Sequence, residues 1–448
     1  MIKTQSLPYT ADLYPYFNAF ADLPHAIFFD SGSHAQSGYS FFSALPTQQI
    51  IHNGKEWQFT NHVGEKKRLC FDEVIQTLND TPKAELELPF CGGWMGQAQY
   101  ELTYLLQPTL FKTIEPQTLP FFAGYYNWAI VSDHKNDQTY FVYQSSIEKT
   151  VKKLILQNLN KTPFREFFLD GHFKKQVCKA EYESALTQIQ NHLEAGDCYQ
   201  INYTYPFTAH FQGEPIEAYR ILREAVPSPF MGFYHNNDFD VLSISPERFI
   251  QVQDRTVFTQ PIKGTAPRDK INPDKDEKNA KDLKSSIKNR AENTMIVDLL
   301  RNDLAKHCEA GSIHVSNLCA LQSFDNVHHL VSDIYGTLKP THTVWDLFFS
   351  AFPGGSITGA PKVRACQIIQ SLEPLPRGFY CGSLFYCSDN GRFDSNIGIR
   401  SLVCKNHEIT ASVGGGIVAD SNTADEYQEC EHKLRRFLDV LEKMSNLL

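Results

Sequence analysis

Apolar residues recur along the chain with two different periods, and these periods predict where it folds into helices and strands. In two stretches they return every three or four positions, which is the spacing of one face of an α-helix. The first stripe, which stops at Gly196, contains Tyr182, Leu186, Ile189 and Leu193. The second contains Tyr427, Cys430, Leu434, Phe437, Leu438 and Leu441. We therefore predict amphipathic helices that start near Ala180 and Thr423.

The first third of the chain carries short runs that are typical of strands. Such runs occupy 26–29, 128–131 and 139–143, and Gly, Pro and Asn separate them. After residue 172, helical and strand patterns interleave with glycine-rich turns, which indicates an α/β or α+β fold with large sheets. We predict an N-terminal region over 1–171 and a second region over 172–448.

Composition excludes several classes of protein. With 448 residues, 42% hydrophobic and 21% charged, the chain is typical of globular proteins and not of disordered or fibrous ones. The formal net charge of -9 is spread over mixed signs without a long basic stripe, so we expect no nucleic-acid partner. Alternating charges over 269–288 predict a solvated loop that leads into a helix.

Compartment and redox state follow from two further patterns. No N-terminal stretch resembles a signal peptide, and no apolar run reaches the ~18 residues of a spanning helix. We expect a cytosolic protein without a membrane partner. The 11 cysteines include no Cys-x-x-Cys pair and lie in apolar contexts, which favours buried free thiols over disulfides.

A first candidate for chemistry pairs a carboxylate with a lysine. Ser245-Pro-Glu247 is followed by Lys263 in Pro261-Ile-Lys-Gly-Thr. The simplest interpretation of that lysine is a solvated residue on an edge strand before a glycine turn. It can be a nucleophile only where a desolvated or cationic setting lowers its pKa. A pyridoxal-phosphate lysine is disfavoured, because no paired aspartate or phosphate cup is recognisable.

A second candidate is a set of carboxylates on predicted helices. Glu292 lies in Arg-Ala-Glu-Asn, and the spacing of Glu426 and Glu429 places both on one helical face. Like charges there need solvent or a cation. Surface solvation is the commoner answer, and a hard Mg²⁺ ion with oxygen ligands is the sharper hypothesis.

A third group of residues could receive anions. The stretch 352–362 reads Phe-Pro-Gly-Gly-Ser-Ile-Thr-Gly-Ala-Pro-Lys and leads into a helix, but it fails the P-loop pattern. Backbone amides there, and at Gly415 and Gly416, could still bind a carboxylate. Arg400 lies in an apolar strand pattern, so either a structural carboxylate or a ligand must pair with it. A core position is the simplest role for His329.

Together these segments resemble the chorismate-utilising enzymes, the family that includes anthranilate, isochorismate and salicylate synthases. The resemblance spans nearly the whole chain and is densest over 196–437. It implies an α+β fold in which two large antiparallel-rich sheets pack as a sandwich with helices outside and the two regions intertwine. The segments that carry it are Asp197-Cys-Tyr-Gln-Ile-Asn, Pro227-Ser-Pro-Phe, Ile244-Ser-Pro-Glu-Arg-Phe, Pro261-Ile-Lys-Gly-Thr, His329-Leu-Val-Ser, Gly355 to Lys362, and Ile399-Arg-Ser.

One residue selects a branch of the family. Relatives that form anthranilate or isochorismate have Pro-Ile-Ala-Gly-Thr where this chain has Lys263, and a lysine there is typical of the branch that forms aminodeoxychorismate. The Leu-Leu-Glu-Ser feedback segment of the anthranilate branch is absent from the sequence. An anthranilate-forming enzyme and a catalytically silent protein that binds chorismate or an amino acid are the alternatives.

The resemblance also implies a role for each candidate residue. Lys263 would be the nucleophile, Glu247 the general acid and base, and His329 a group that orients the ring substituents. Mg²⁺ would be ligated by Glu292 and Glu429 with support from Glu426. The carboxylates of chorismate would be received by Thr358, Lys362, Tyr386, Arg400, Gly415 and Gly416.

Two partners are implied as well. Ammonia would come from a glutamine amidotransferase on a separate chain, because nothing in this sequence resembles the Cys-His-Glu chemistry of such a domain. Tyr203 and the segment Pro227-Ser-Pro-Phe230 resemble the site where relatives bind tryptophan.

Overall fold

Two large sheets dominate the structure. The computed structural model of the protein describes residues 1–32, 38–324 and 327–445. The strands in these ranges are β1 Ile2–Leu7, β2 Ile27–Asp30, β3 Tyr39–Ser43, β4 Gln48–His52, β5 Trp57–Thr60, β6 Lys66–Leu69, β7 Gly93–Ala98, β8 Phe121–Tyr126, β9 Trp128–Asp133, β10 Gln138–Gln144, β11 Phe167–Lys175, β12 Gln200–Gly213, β13 Phe230–Asn236, β14 Phe239–Ser245, β15 Arg248–Gln253, β16 Thr256–Thr259, β17 Ile262–Pro267, β18 His314–Ser323, β19 Val327–Thr337, β20 Gly359–Ala360, β21 Ser383–Ser388, β22 Phe393–Asn396, β23 Ser401–Lys405 and β24 Glu408–Ile417.

Helices cover the outside of these sheets. They are α1 Tyr14–Asn18, α2 Phe71–Asn79, α3 Leu102–Leu106, α4 Lys149–Asn158, α5 Lys179–Glu194, α6 Pro215–Ala225, α7 Pro273–Ser285, α8 Ile287–Ala305, α9 Val344–Ala351, α10 Lys362–Leu372, α11 Thr423–Ser445 and a 3₁₀ helix over Gly355–Ile357. Among the helices described, none is long and apolar enough to cross a membrane.

The strand order interleaves distant parts of the chain. The first sheet runs β1-β10-β9-β3-β2-β13-β14-β23-β24-β12-β11, with β20 beside β12. The second runs β17-β19-β16-β15-β22-β21-β7-β8-β4-β5-β6, with β18 beside β19. Each sheet contains strands from both sides of the predicted boundary at 171/172, and β11 crosses that boundary. The two predicted regions therefore share both sheets.

Alternation along β8 shows how the layers pack. The ring of Phe121 lies 5.4 Å from Phe349 of α9, whereas the next residue, Phe122, lies 5.3 Å from Tyr234 of β13. Successive side chains of a strand point to opposite faces. One face of the second sheet therefore packs on helices and the other on the first sheet. The predicted α+β sandwich is confirmed.

The periodic stripes predicted the helices closely. The stripe that stops at Gly196 is α5, and the stripe that begins near Thr423 is α11. The predicted strands correspond to β2, β9 and β10. All 11 cysteines are free, and all but two are at least partly buried. The two exposed ones, Cys70 and Cys178, precede α2 and α5.

The charged run over 269–288 begins as a loop over 269–272 and leads into α7, as predicted, but the helix occupies most of the run and the loop is short. Asn272 caps α7 by accepting a hydrogen bond from the backbone of Lys275, and Pro273 opens its first turn. Arg268 also pairs with Asp276 over 2.9 Å. The capping signals outweighed the polar composition.

A buried arginine braces the chain behind the 3₁₀ helix. The Arg377 guanidinium donates to the carboxylate of Glu373, to the carbonyl of Asn202 over 2.6 Å and to the carbonyl of Ile357 over 3.0 Å. It also lies 4.4 Å from the centre of the Tyr100 ring. Because Ile357 ends the 3₁₀ helix, this one side chain joins that helix to β12.

Arg377→Ala is expected to destabilise the fold by about 3–5 kcal/mol, because it leaves the buried Glu373 carboxylate without its counterion and two buried carbonyls without this donor. Urea unfolding followed by circular dichroism measures the loss. The matched control is Arg301→Ala, which removes an exposed pair with Asp298 within α8 and should cost less than about 1 kcal/mol. Equal losses in both variants would contradict the bracing role.

Candidate active site

Glu247 and Lys263 meet at one residue of the 3₁₀ helix. Glu247 immediately precedes β15, and Lys263 lies on β17. The hydroxyl of Ser356 donates to Glu247 Oε1 over 2.7 Å, and the carbonyl of Ser356 accepts from Lys263 Nζ over 3.1 Å. The two groups singled out in the sequence are therefore held by the same backbone unit.

An irregularity in β17 positions the lysine. The pairing of β17 with β19 shifts register between Ile262 and Thr265, so Lys263 and Gly264 lie in a bulge. Bulges re-aim side chains, and glycine tolerates the positive φ of +85° that Gly264 adopts. A Cβ on Gly264 would lie 3.1 Å from Asn289 and from Leu283, so the strand approaches its neighbouring helices closely here.

Burial gives the carboxyl group an unusual acidity. Burial raises the pKa of Glu247 to about 7, against the lowering effects of the Ser356 hydroxyl, the Lys263 charge and the backbone amide of Ile262. Near neutral pH the group is thus present in both its acid and its base form. A proton donor that can be recharged near neutral pH is what general acid–base catalysis needs.

Burial acts on the lysine in the opposite direction. Burial lowers the pKa of Lys263, although the carboxylates of Glu292 and Glu247 partly offset the shift, and the charge of Lys433 adds to it. The desolvated setting that a nucleophilic lysine requires is therefore present.

His329 lies on β19 opposite Thr265, and the Thr265 hydroxyl is 2.9 Å from His329 Nδ1. Burial, together with the nearby positive charge of Arg400, lowers the pKa of His329 to about 4. The imidazole is consequently neutral near pH 7. A neutral ring can accept a hydrogen bond at one nitrogen and donate one from the other.

Arg400 does not lie inside a strand, so that expectation was wrong. It is a bend residue just before β23, with a left-handed φ of 50°, and its carbonyl accepts a hydrogen bond from Ile244 over 3.0 Å. The apolar residues around it misled the pattern, because the chain turns at this point before β23 starts. The effect of its charge on His329 places Arg400 near the imidazole.

The predicted metal carboxylates come from α8 and α11. Lys288 Nζ lies 3.6 Å from Glu426 Oε1 and 4.0 Å from Glu292 Oε1. Glu426 also accepts from the Ser421 hydroxyl over 2.7 Å. Glu429 pairs with Lys433 over 2.7 Å, and its side chain is 56% exposed.

The donor set suits a hard cation in its chemistry. Burial raises the pKa of Glu292, and the charges of Glu426 and Glu429 add to the shift. The three carboxylates therefore repel one another electrostatically. Two of them already share a positive group, the ammonium of Lys288. Within 1–32, 38–324 and 327–445, however, no three His, Cys, Asp or Glu side chains are gathered closely enough to hold a metal ion.

The residues of the glycine-rich loop are mostly engaged by the protein itself. Thr358 Oγ1 donates to the carbonyl of Gly354 over 3.0 Å. Lys362 Nζ bonds to Asp303 over 2.5 Å and to the carbonyl of Ala351 over 2.7 Å. A ligand carboxylate would compete with these contacts. Lys362 is the first residue of α10, and Pro361 occupies the N-cap position of that helix.

Gly415 and Gly416 lie on β24, where Glu426 of α11 and the side-chain amide of Gln200 are their neighbours. A Cβ on Gly415 would lie 3.2 Å from Glu426 Oε2, and one on Gly416 would lie 3.1 Å from Gln200. Side chains at either position would crowd these neighbours. The two glycines therefore let Glu426 and Gln200 approach the backbone of β24 closely.

Tyr386 lies in a different place from the other substrate candidates. It lines a cavity of about 190 Å³, together with Phe29, Phe230, Arg248 and Asp394. Its ring is 5.4 Å from Phe29 in an edge-on contact. Neither Glu247 nor Lys263 is among the residues that line this cavity.

The two segments expected to form a tryptophan site lie apart in the structure. Pro229 and Phe230 line the same cavity as Tyr386, but Tyr203 does not. Tyr203 lies on β12, which is separated from β13 by three other strands, and packs 5.5 Å from Tyr182. Nearness in the sequence motifs did not mean nearness in the sheet.

Two contributors escaped the sequence analysis. The sequence patterns indicate only that Ser356 belongs to a turn-rich loop and that Lys288 belongs to a charged run. A serine directly after two glycines in that loop is a weak signal for Ser356. Lys288 has a stronger sequence signal, because it precedes Glu292 by one helical turn.

Comparison with known proteins places this geometry in a family. Residues 24–439 match the family described as chorismate binding enzyme. The chain is 37% identical over 438 residues to a protein of Escherichia coli K12 named aminodeoxychorismate synthase component 1, covering 96% of each chain. It is also 37% identical to a protein of the same name from Klebsiella aerogenes, covering 98% of each chain.

A solved structure agrees with the fold. The structure of anthranilate synthase component I from Streptococcus pneumoniae superimposes with a TM-score of 0.80 at 28% identity, and the match covers 90% of this chain and 93% of that one. The family match covers most of the chain, and both relatives at 37% identity extend over nearly all of it. The protein therefore belongs to the family of chorismate binding enzymes.

Proposed function

We propose that the protein aminates chorismate to 4-amino-4-deoxychorismate, the precursor of p-aminobenzoate in folate synthesis. The observation that carries the proposal is the contact of Glu247 and Lys263 with opposite ends of Ser356. An acid and an amine, both driven by burial toward their neutral forms, suit the displacement of a hydroxyl group. The names of the relatives at 37% identity support the same reaction.

The first step is a displacement with a shift of the ring double bonds. The neutral amine of Lys263 forms a bond to C2 of chorismate while Glu247 gives its proton to the C4 hydroxyl. The C4–O bond breaks and water leaves. Glu247 is then a carboxylate, and the lysine nitrogen carries the positive charge of a covalent adduct.

The second step reverses the shift. Ammonia forms a bond to C4, the C2–N bond breaks, and Lys263 leaves as a neutral amine. Glu247 takes the excess proton from the new amino group and returns to its acid form. Neutral His329 orients ring substituents by hydrogen bonding, and Arg400, Gly415, Gly416, Thr358 and Lys362 are the proposed contacts of the substrate carboxylates. Tyr386 is left out of this set because it lines the other cavity, beside Phe230.

Magnesium is the proposed cofactor. Glu292 and Glu429 would hold it with support from Glu426, and when bound it would supply positive charge for the ring carboxylate of chorismate. The approach of Glu292 and Glu426 to the ammonium of Lys288 supports the capacity of these groups to share a cation. Lys288 is exposed enough, at 55%, to move aside.

A second chain is proposed to supply ammonia. The relatives are named component 1, which implies a partner component, and a glutamine amidotransferase provides the required chemistry. Tryptophan is the proposed occupant of the cavity beside Pro229 and Phe230, whose aromatic and charged lining suits an amphipathic amino acid. The cytosol is the proposed compartment.

Incubation of the purified protein with chorismate, Mg²⁺ and concentrated ammonium tests the reaction. Chromatography should show a product that yields p-aminobenzoate only after a lyase is added. The neutral amine at position 263 should favour amination at C4, since it occupies C2 in the first step. Fluorescent anthranilate without the lyase would show the alternative reaction of the family, and unchanged chorismate would show a silent protein.

Lys263→Ala is expected to abolish the covalent adduct, because no other amine lies on the bulge of β17. The parent protein is allowed to react with chorismate in the absence of ammonia, and the reaction is then quenched. Intact-mass measurement of the quenched protein detects the adduct. Lys281→Ala, which changes an exposed lysine of α7, serves as the matched control and should keep it. An adduct of unchanged mass and rate in Lys263→Ala would overturn the nucleophile assignment.

Glu292→Gln is expected to weaken Mg²⁺ binding about tenfold or more, because it replaces a charged oxygen ligand by a neutral amide. Titration calorimetry of chelator-treated protein with Mg²⁺ measures the affinity without any turnover. Asp298→Asn, an exposed position on the same helix, is the control. Equal affinities for the Glu292 variant and the parent protein would remove Glu292 from the metal site.

A further inference from the structure

We infer that Ser356 is the positioning residue that fixes which oxygen of Glu247 carries the transferable proton. The inference rests on the proposed function, since it concerns the same acid. Ser356 was not among the residues that the sequence singled out. Its hydroxyl contacts Glu247, its carbonyl contacts Lys263, and the 3₁₀ helix holds the serine in place.

The hydroxyl of Ser356 points at one carboxyl oxygen only. It donates to Glu247 Oε1 over 2.7 Å, and the Ser356 residue is 7% exposed. A proton on Oε1 would compete with the hydroxyl proton for the space between Ser356 Oγ and Glu247 Oε1. The acid form of Glu247 therefore carries its proton on Oε2, which leaves that proton available for the hydroxyl of the substrate.

The carbonyl of Ser356 orients the second reactive group. It accepts one N–H of Lys263 over 3.1 Å. In the neutral amine, that contact uses one hydrogen and leaves the lone pair directed elsewhere. One residue thus fixes the direction of proton donation and the direction of the nucleophile.

The 3₁₀ helix is held so that Ser356 keeps both contacts. Arg377 binds the carbonyl of Ile357 over 3.0 Å, and Thr358 binds the carbonyl of Gly354 over 3.0 Å. These contacts fix the backbone on both sides of Ser356. The serine is therefore placed by the fold and not by the two catalytic groups alone.

Acidity gives a readout that a merely structural serine would not move. Glu247 faces the Lys263 charge and the Ile262 amide from β17, and the Ser356 hydroxyl from the 3₁₀ helix. Of these contacts, Ser356→Ala removes one hydrogen bond that favours the carboxylate. The pKa of Glu247 should then rise above about 7, by about one unit for a lost bond to a charged group.

The experiment compares Ser356→Ala, Ser356→Thr and Ser43→Ala in ammonia-dependent turnover of chorismate. Because the acid must be protonated, the rate falls as pH rises through the pKa of Glu247, and Ser356→Ala should move this limb about one pH unit higher. We expect kcat to fall about tenfold with KM nearly unchanged. Ser356→Thr keeps a hydroxyl and should restore both the limb and most of kcat.

Ser43→Ala controls for the loss of a buried hydroxyl, because Ser43 donates to the carbonyl of Trp128 over 2.7 Å and is 0% exposed. It should lower the melting temperature without moving the pH profile. An unmoved limb in Ser356→Ala, or an equal shift in Ser43→Ala, would overturn the inference.

An infrared titration tests Ser356 without turnover. The carboxylic C=O band of Glu247, identified by its absence in Glu247→Gln, reports the protonated fraction directly. Its midpoint should be higher in Ser356→Ala than in the parent protein, and equal midpoints would contradict the inference. If the parent protein fails to convert chorismate yet the midpoint shifts, the reaction is wrong and the positioning role stands.

Discussion

The withdrawal of water from Glu247 and Lys263 is the constraint on which the site depends. A carboxylic acid and an amine in contact with solvent would exchange a proton and remain an ion pair near neutral pH. Burial raises the pKa of Glu247 to about 7 and lowers the pKa of Lys263. The two shifts run in opposite directions, and each favours the neutral form of its group beside Ser356.

The architecture supplies this dry location from both of its sheets. Lys263 and His329 come from the second sheet, whereas Gly415 and Gly416 come from the first. Helices α8 and α11 carry the carboxylates, and the braced 3₁₀ helix carries Ser356. Residues more than a hundred positions apart therefore meet only after both sheets have assembled, and a partial fold would leave the acid and the amine in water.

Sequence patterns anticipated the elements whose signals are local. The stripes of α5 and α11 and the strands β2, β9 and β10 followed directly from hydrophobic period. The resemblance identified Glu247 and Lys263 as a pair, but the serine between them depends on a contact across 93 positions, which no period encodes. The bend at Arg400 departed from the strand pattern because the chain turns there, and the cap at Asn272 starts α7 earlier in the charged run than its composition indicated. The separation of Tyr203 from Phe230 is a matter of strand order.

Lys288 has a consequence for how the carboxylates of α8 and α11 behave before anything binds. Its ammonium group lies within 4.0 Å of both Glu292 and Glu426 and supplies an internal counterion. Glu292 of α8 and Glu426 of α11 therefore have a shared counterion without a foreign ion. A cation that arrives there exchanges with the ammonium instead of neutralising bare charges. The lysine, once released to solvent, becomes a mobile positive group beside the site that is proposed to receive the carboxylates of chorismate.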